Sequence, residues 1–240
     1  MKPIITFLLI IFFVLSGLAF SQEKKSDLKE SVKYSSYKEA FDKCDYTKAL
    51  ELAKPLAEKG DAEAQLILGF QYRWGKGVTQ NYTEALKWLS KSANQGNSLA
   101  QFQVGAMYYN GWGVQQNYKE AMKWYAKSAE QGYDVAQSFL GKMYYEGYGV
   151  SQNYTEAMKW FSKAAEKDFP WDSRYLGIMY YKGQGVTQDY IQAYKWFCIS
   201  LSLFPQDKNT AKLKDDLTKK MTPNQIKKAQ ELVNDWNKNH

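Results

Sequence analysis

Residues 60–95, 96–131 and 132–167 spell one pattern three times, and residues 168–203 spell it a fourth time in worn form. The period is 36 residues, without an insertion. Gly69, Gly105, Gly141 and Gly177 mark one phase, Gly75, Gly111, Gly147 and Gly183 a second, and Trp88, Trp124, Trp160 and Trp196 a third. A fixed period of this size implies stacked supersecondary units, each burying its apolar face against the next. The architecture is therefore strongly constrained, whereas no chemical activity is written in the chain.

Each unit reads as two helices. In the first unit Ala64, Leu68 and Tyr72 lie at i, i+4 and i+8, one stripe of a helix. Glycine inside a helix costs about 1 kcal/mol relative to alanine. Its return at Gly69 and the equivalent positions points to close approach of a neighbouring helix. Gly75-Lys76-Gly77 ends this helix, since glycine accepts the left-handed turn. A second helix opens at Asn81-x-x-Glu84, and the spacing returns at Asn117, Asn153 and Asp189, each with Glu or Gln three residues on. No long period-two alternation predicts a strand.

The run A-x3-LG-x2-Y-x2-G-x-GV-x2-N/D-Y-x2-A-x2-W-x3-A-x2-G resembles the Sel-one-like repeat, a relative of the tetratricopeptide repeat, over residues 39–204. The resemblance implies an all-α, right-handed superhelical solenoid of antiparallel helix pairs that binds proteins or peptides on its concave side. Some cysteine-rich relatives have been credited with beta-lactam-binding or beta-lactamase activity. This chain lacks their paired cysteines, so a cell-wall-related hydrolase is kept only as the alternative.

Outside the four units, Lys2, an apolar run from Ile4 to Val14, and small residues at Ala19 and Ser21 read as an export signal over 1–21. The run is short for a span of about 20 residues. Cleavage near Ser21 would leave no integral membrane span and place the protein in a bacterial periplasm or outside the cell; an uncleaved anchor is the other reading. Residues 22–33 form a polar, flexible lead-in. Residues 34–59 hold a partial unit, with a short helix from about Ser36 to Lys43 and a second-helix half from Asp45. Terminal units of a stack depart from the repeat because one face meets water. Residues 204–240 read as a helical cap: Pro205 breaks the chain, Ala211–Met221 make a short amphipathic helix, and Thr222-Pro223-Asn224-Gln225 is a capping box. The cap is expected to cover the apolar end of the preceding helix, from Phe197 to Phe204.

The sequence excludes several chemistries. Its only histidine, His240, is the last residue, which rules out a histidine-dependent triad or a histidine-rich metal site. Cys44 and Cys198 fall on distant units, beyond the roughly 7 Å that a disulfide spans, and read as free thiols. The three Ser-x-x-Lys runs at Ser21, Ser26 and Ser35 lack companion motifs. Asn81-Tyr82-Thr83 and Asn153-Tyr154-Thr155 match the glycosylation sequon but coincide with helix caps. The formal charge of +7 is spread along the chain, with no nucleic-acid module. No cofactor is implied, and the chain reads as monomeric.

Binding is expected on the side of the first helices that faces away from the stack. That stripe carries Glu63, Leu66, Phe70 and Trp74 in unit one, and Leu99, Phe102, Ala106 and Asn110 in unit two. Unit three adds Val135, Ser138, Lys142 and Glu146, and unit four Trp171, Arg174, Ile178 and Lys182. Apolar residues crowd the first half and cations the second. The expectation is a peptide groove anchored near Phe70 and Phe102, with acidic groups near Lys142, Arg174 and Lys182. The competing expectation is that neighbouring helices cover Leu66, Phe70 and Trp74.

Overall fold

The computed structural model describes residues 31–239, apart from residue 168; the side chains of residues 31–35 and 239 are not described. The proposed export signal therefore lies outside the described residues. Twelve helices and no strand occur among those described. They are α1 (Ser31–Asp42), α2 (Tyr46–Glu58), α3 (Ala62–Trp74), α4 (Tyr82–Asn94), α5 (Ser98–Asn110) and α6 (Tyr118–Glu130). There follow α7 (Asp134–Glu146), α8 (Tyr154–Ala165), α9 (Pro170–Lys182), α10 (Tyr190–Leu203), α11 (Lys208–Thr218) and α12 (Pro223–Asn239). Consecutive helices pack on one another along the chain from α1 to α11, the pattern of an all-helical solenoid. The first helix begins at Ser31, five residues before the expected Ser36.

The caps follow the repeat. The side chains of Asn81, Asn117 and Asn153 accept from the backbone N–H three residues on, at 3.0, 3.1 and 3.0 Å. Gly75, Gly111, Gly147 and Gly183 each end a first helix in the left-handed conformation. Gln80, Gln116, Gln152 and Gln188 then bridge the loop, donating to the carbonyls of Arg73, Tyr109, Tyr145 and Tyr181 at 2.7–2.8 Å.

The glycines inside the first helices have a packing cause. A Cβ on Gly69 would sit 2.4 Å from Leu89 Cγ, and on Gly105 it would sit 2.7 Å from Tyr125 Cδ1. Phe161 and Phe197 fill the same place against Gly141 and Gly177. The bulky side chain lies 20 positions on, in the second helix of the same unit, so the close approach is made chiefly by a side chain. The second loop glycines join successive units. At φ +70°, a Cβ on Gly113 would lie 2.5 Å from the carbonyl of Tyr82, and Gly77, Gly149 and Gly185 repeat that contact on Tyr46, Tyr118 and Tyr154.

The four in-phase tryptophans sit in similar surroundings, the last with Trp236 of the cap against it. Trp88, Trp160 and Trp196 are buried and Trp124 partly buried. A lysine ammonium caps each ring: Lys91 at 4.2 Å, Lys127 at 4.5 Å, and Lys163 and Lys195 at 4.6 Å from the centroid. Lys91, Lys127 and Lys163, three residues after the ring, cover the indole with their stems while their charges stay in water; Lys195 is the residue before Trp196 and is partly buried.

At the C-terminal end α12 packs on α10, bringing Trp236 against Trp196 and Ala229 into the cluster of Ala193 and Phe197. Thr222 and Gln225 form the expected reciprocal capping box, at 2.8 and 3.3 Å. The cover is incomplete: Phe197 and Ile199 are buried, but Leu203 and Phe204 stay exposed.

Candidate functional site

The open side of the first helices is narrower than the sequence implied. Leu66, Phe70 and Phe102 are only 4, 2 and 5 % exposed. Leu66 and Phe70 pack with Ala100 and Val104 of α5, and Phe102 packs with Tyr125, Ala136 and Leu140. Leu66 and the expected apolar anchors Phe70 and Phe102 are therefore core residues, and for Leu66 and Phe70 the competing expectation, cover by neighbouring helices, holds. Their stripe is turned toward the first helix of the following unit, because each first helix is enclosed by its own partner and by both neighbouring units. Trp74 is partly buried, its ring stacked on Phe70 at 4.7 Å.

Arg174 also has a structural partner. Its guanidinium Nη1 lies 3.6 Å from Asp207 Oδ2, tying α9 to the start of α11. Asp207 in turn caps α11 by accepting from the N–H groups of Asn209 and Thr210 and from the Thr210 hydroxyl. Asn110 is exposed, with Nδ2 donating to the Ala106 carbonyl at 2.7 Å. Lys142 is half-buried, and Glu146 and Lys182 are exposed.

Trp171 is 36 % exposed and stands 5.9 Å from Phe204, itself 38 % exposed. With Leu203 these are the exposed large apolar side chains among the described residues. The remaining strip carries Glu63, Leu99, Val135 and Trp171 near the starts of the first helices, and Trp74, Asn110, Glu146 and Lys182 at their ends; Trp171, Asn110, Glu146 and Lys182 are exposed and the other four partly buried. The chemistry changes from unit to unit along both rows.

Two polar features of the stack escaped the sequence reading. Arg73 donates from Nη1 to Gln103 Oε1 within the core and lies 4.6 Å over the Trp112 ring. Burial lowers its ionisation to about 10. In later units the phase of Arg73 is tyrosine and that of Gln103 is aromatic, and Tyr109–Phe139 and Tyr145–Tyr175 meet across the same 30 positions. The paired departure of Arg73 and Gln103 from that pattern was the available signal. Asp172 replaces the alanine of the other units and accepts from the Ser138 hydroxyl at 2.7 Å. Its departure was visible in the sequence, but its partner was not.

No group of His, Cys, Asp and Glu residues able to hold a metal ion occurs among the described residues. Cys44 is exposed and Cys198 half-buried, both as free thiols. Burial raises the Cys198 thiol, away from the thiolate that nucleophilic catalysis needs. A shallow depression lined by Gln188, Asp189, Tyr190 and Gln225 engages the Asp189 carboxylate in capping α10. No described helix is long and apolar enough to cross a membrane.

A profile of the Sel1 repeat matches residues 42–61, 62–97, 98–133, 134–169 and 174–203. Among solved structures, the chain is similar to a Sel1 repeat protein from Oxalobacter formigenes, with 31% identity and a TM-score of 0.70 over 75% of this chain and 73% of that one. It is also similar to c5321, a protective antigen present in uropathogenic Escherichia coli strains that displays the SLR fold, with 41% identity and a TM-score of 0.63. That likeness covers 65% of this chain but 33% of the antigen, so the chain spans about a third of its length. None of the curated proteins compared matches it. Five repeat matches over most of the described helices, joined to this structural likeness, establish that the chain belongs to the Sel1-repeat family.

Proposed function

We propose that this protein is an exported, non-catalytic protein-interaction scaffold whose open strip grips a peptide or protein segment through its C-terminal half. One observation carries the reading. The tryptophans and loop glycines that build the stack recur in every unit, whereas the strip changes at each unit. Solenoid scaffolds bind partners along extended faces of this kind, and variation along such a face gives each unit its own contact.

The burial of Phe70 and Phe102 moves the apolar anchor to Trp171 and Phe204. Lys142 and Lys182 supply the cations, with Glu146 beside them. The partner that fits offers an apolar side chain for the Trp171–Phe204 pair and carboxylates for the two lysines. Export rests on the leader-like pattern of residues 1–21.

Capture by the chain beginning at residue 22, from the envelope fraction of its own cell, tests the reading. The Lys142→Glu, Lys182→Glu double variant is expected to lose the captured partner while melting like the parent. An unchanged partner set would refute the assignment of the strip. Turnover of nitrocefin or labelling by a fluorescent penicillin would replace the scaffold reading with the hydrolase alternative.

A further inference from the structure

Three consecutive residues at the start of α9, Asp172, Ser173 and Arg174, each hold a buried polar atom with no hydrogen-bond partner: Oδ2, Oγ and Nε. Asp172 is the exceptional one. It is fully buried, and at the same phase the preceding units place Ala64, Ala100 and Ala136, all equally buried. A carboxyl group therefore occupies the seat where the other units bury a methyl group, between the third and fourth helix pairs, and Ser138 faces it where Leu66 and Phe102 face Ala100 and Ala136.

Its surroundings favour the neutral acid. From α7 it receives one hydrogen bond, from the Ser138 hydroxyl, and faces the negative charge of Asp134. From α8 and α10 the cluster one turn further along α9 is apolar: Phe161, Ala165, Trp196 and Ile199 beside Leu176. On its own helix the Arg174 guanidinium is drawn to Asp207, and Tyr175 lies close enough to feel the charge of Asp172. The helix N-terminus favours an anion, as does the Ser138 hydroxyl, but burial outweighs both and raises the carboxyl to about 7.

We propose that Asp172 makes the seat between the third and fourth helix pairs proton-sensitive, closed while its carboxyl is neutral and opening locally when the carboxyl ionises. Ionisation in place would leave a charge with one hydrogen bond and an unpartnered oxygen among apolar groups. Lifting the start of α9 off α7 returns that charge to water. The opening moves Trp171, the adjacent residue, so the same proton alters the end of the strip where the apolar pair stands.

The acid is neutral in the closed seat and ionised in the open one between pH 3.8 and about 7. In that window the opening equilibrium rises about tenfold per pH unit, and above it the rise levels off. Hydrogen exchange read by mass spectrometry, corrected for the intrinsic pH dependence of exchange, tests this on the full chain. Amides of α9 and the first turns of α7 are expected to lose protection from pH 5 to 7, while those of α3 and α5 hold theirs. The Asp172→Asn variant, which keeps an acceptor for Ser138 and cannot ionise, is expected to show a flat profile. If asparagine disturbs packing, Asp172→Ala, the residue of the preceding units, provides the same reading. A pH profile unchanged in either folded variant, or protection lost in parallel in α3, α5 and α9, would overturn the proposal.

Discussion

Arg73 and Gln103 meet inside the core, 30 positions apart, where the next two junctions place Tyr109 on Phe139 and Tyr145 on Tyr175. One stack thus closes the same joint with two chemistries. A hydrogen bond to a buried charged group contributes about 1.5–3 kcal/mol, and removing one partner exposes the full desolvation penalty of the other. Gln103→Ala is therefore expected to lower stability by about 2–3 kcal/mol, measured by urea unfolding. The double variant Arg73→Tyr, Gln103→Phe, which copies the neighbouring joint, should recover most of that loss. A double variant no better than the single one would show that Trp112, lying under Arg73, has fitted this joint to a cation alone.

The loop glycines separate two causes of glycine preference. Gly96 has φ +93° and open space where a Cβ would go, whereas Gly113 has φ +70° and the Tyr82 carbonyl 2.5 Å away. Gly96→Ala should carry only the left-handed strain, about 1 kcal/mol. Gly113→Ala adds a clash with backbone that cannot rotate aside, so it should cost about 1–3 kcal/mol more. Thermal melting of the two variants side by side checks the difference. Equal losses would mean that the unit above shifts without resistance.

How far the sequence was legible follows from these same residues. The period, the Asn81-type caps and the Gly75-type stops are local, so each could be read from its own few residues. The stripe through Leu66 and Phe70 suits either a groove or a helix contact, because what packs opposite Ala64 and Leu68 is not written in one unit. A first helix wrapped by three neighbours has little outward side, and that depends on the stacking angle between units rather than on any single unit. The tail hides its place more deeply. Lys220 donates to Tyr181 Oη at 2.6 Å across 39 positions, the separation that also joins Tyr145 to Gln184. The cap thus continues the register at this joint, yet it carries none of the glycines or in-phase tryptophans that announce the other units.

Asp207 predicts a pH response opposite to that of Asp172. Burial alone would raise its carboxyl; the Thr210 hydroxyl and N–H, the Arg174 charge and the Asn209 N–H outweigh burial and hold it below the ordinary carboxylate value. Its stabilisation is present above that ordinary value and is lost as pH falls through the depressed one. Asp207→Asn should therefore flatten the acid limb of a melting-temperature profile below about pH 4, while also destabilising the protein at neutral pH by about 1 kcal/mol, a cap-sized amount. An acid limb identical in parent and variant would show that Asp207 does not stabilise the docking of α11.

Phe70 and Trp171 offer the sharpest contrast between core and surface, because both were expected to line one groove. Phe70 is 2 % exposed and stacked on Trp74; Trp171 is 36 % exposed and touches Phe204. Removing a buried aromatic ring costs about 3–5 kcal/mol. Phe70→Ala should therefore cost that much in urea unfolding. Trp171→Ala removes a ring that is 36 % exposed, and should cost about 1–2 kcal/mol, less than Phe70→Ala. The order reverses in binding: Trp171→Ala should weaken capture of the partner at a temperature where both variants are folded, and Phe70→Ala should leave it intact. Capture lost with Phe70 but kept without Trp171 would return the anchor to the first unit and require that unit to open when it binds.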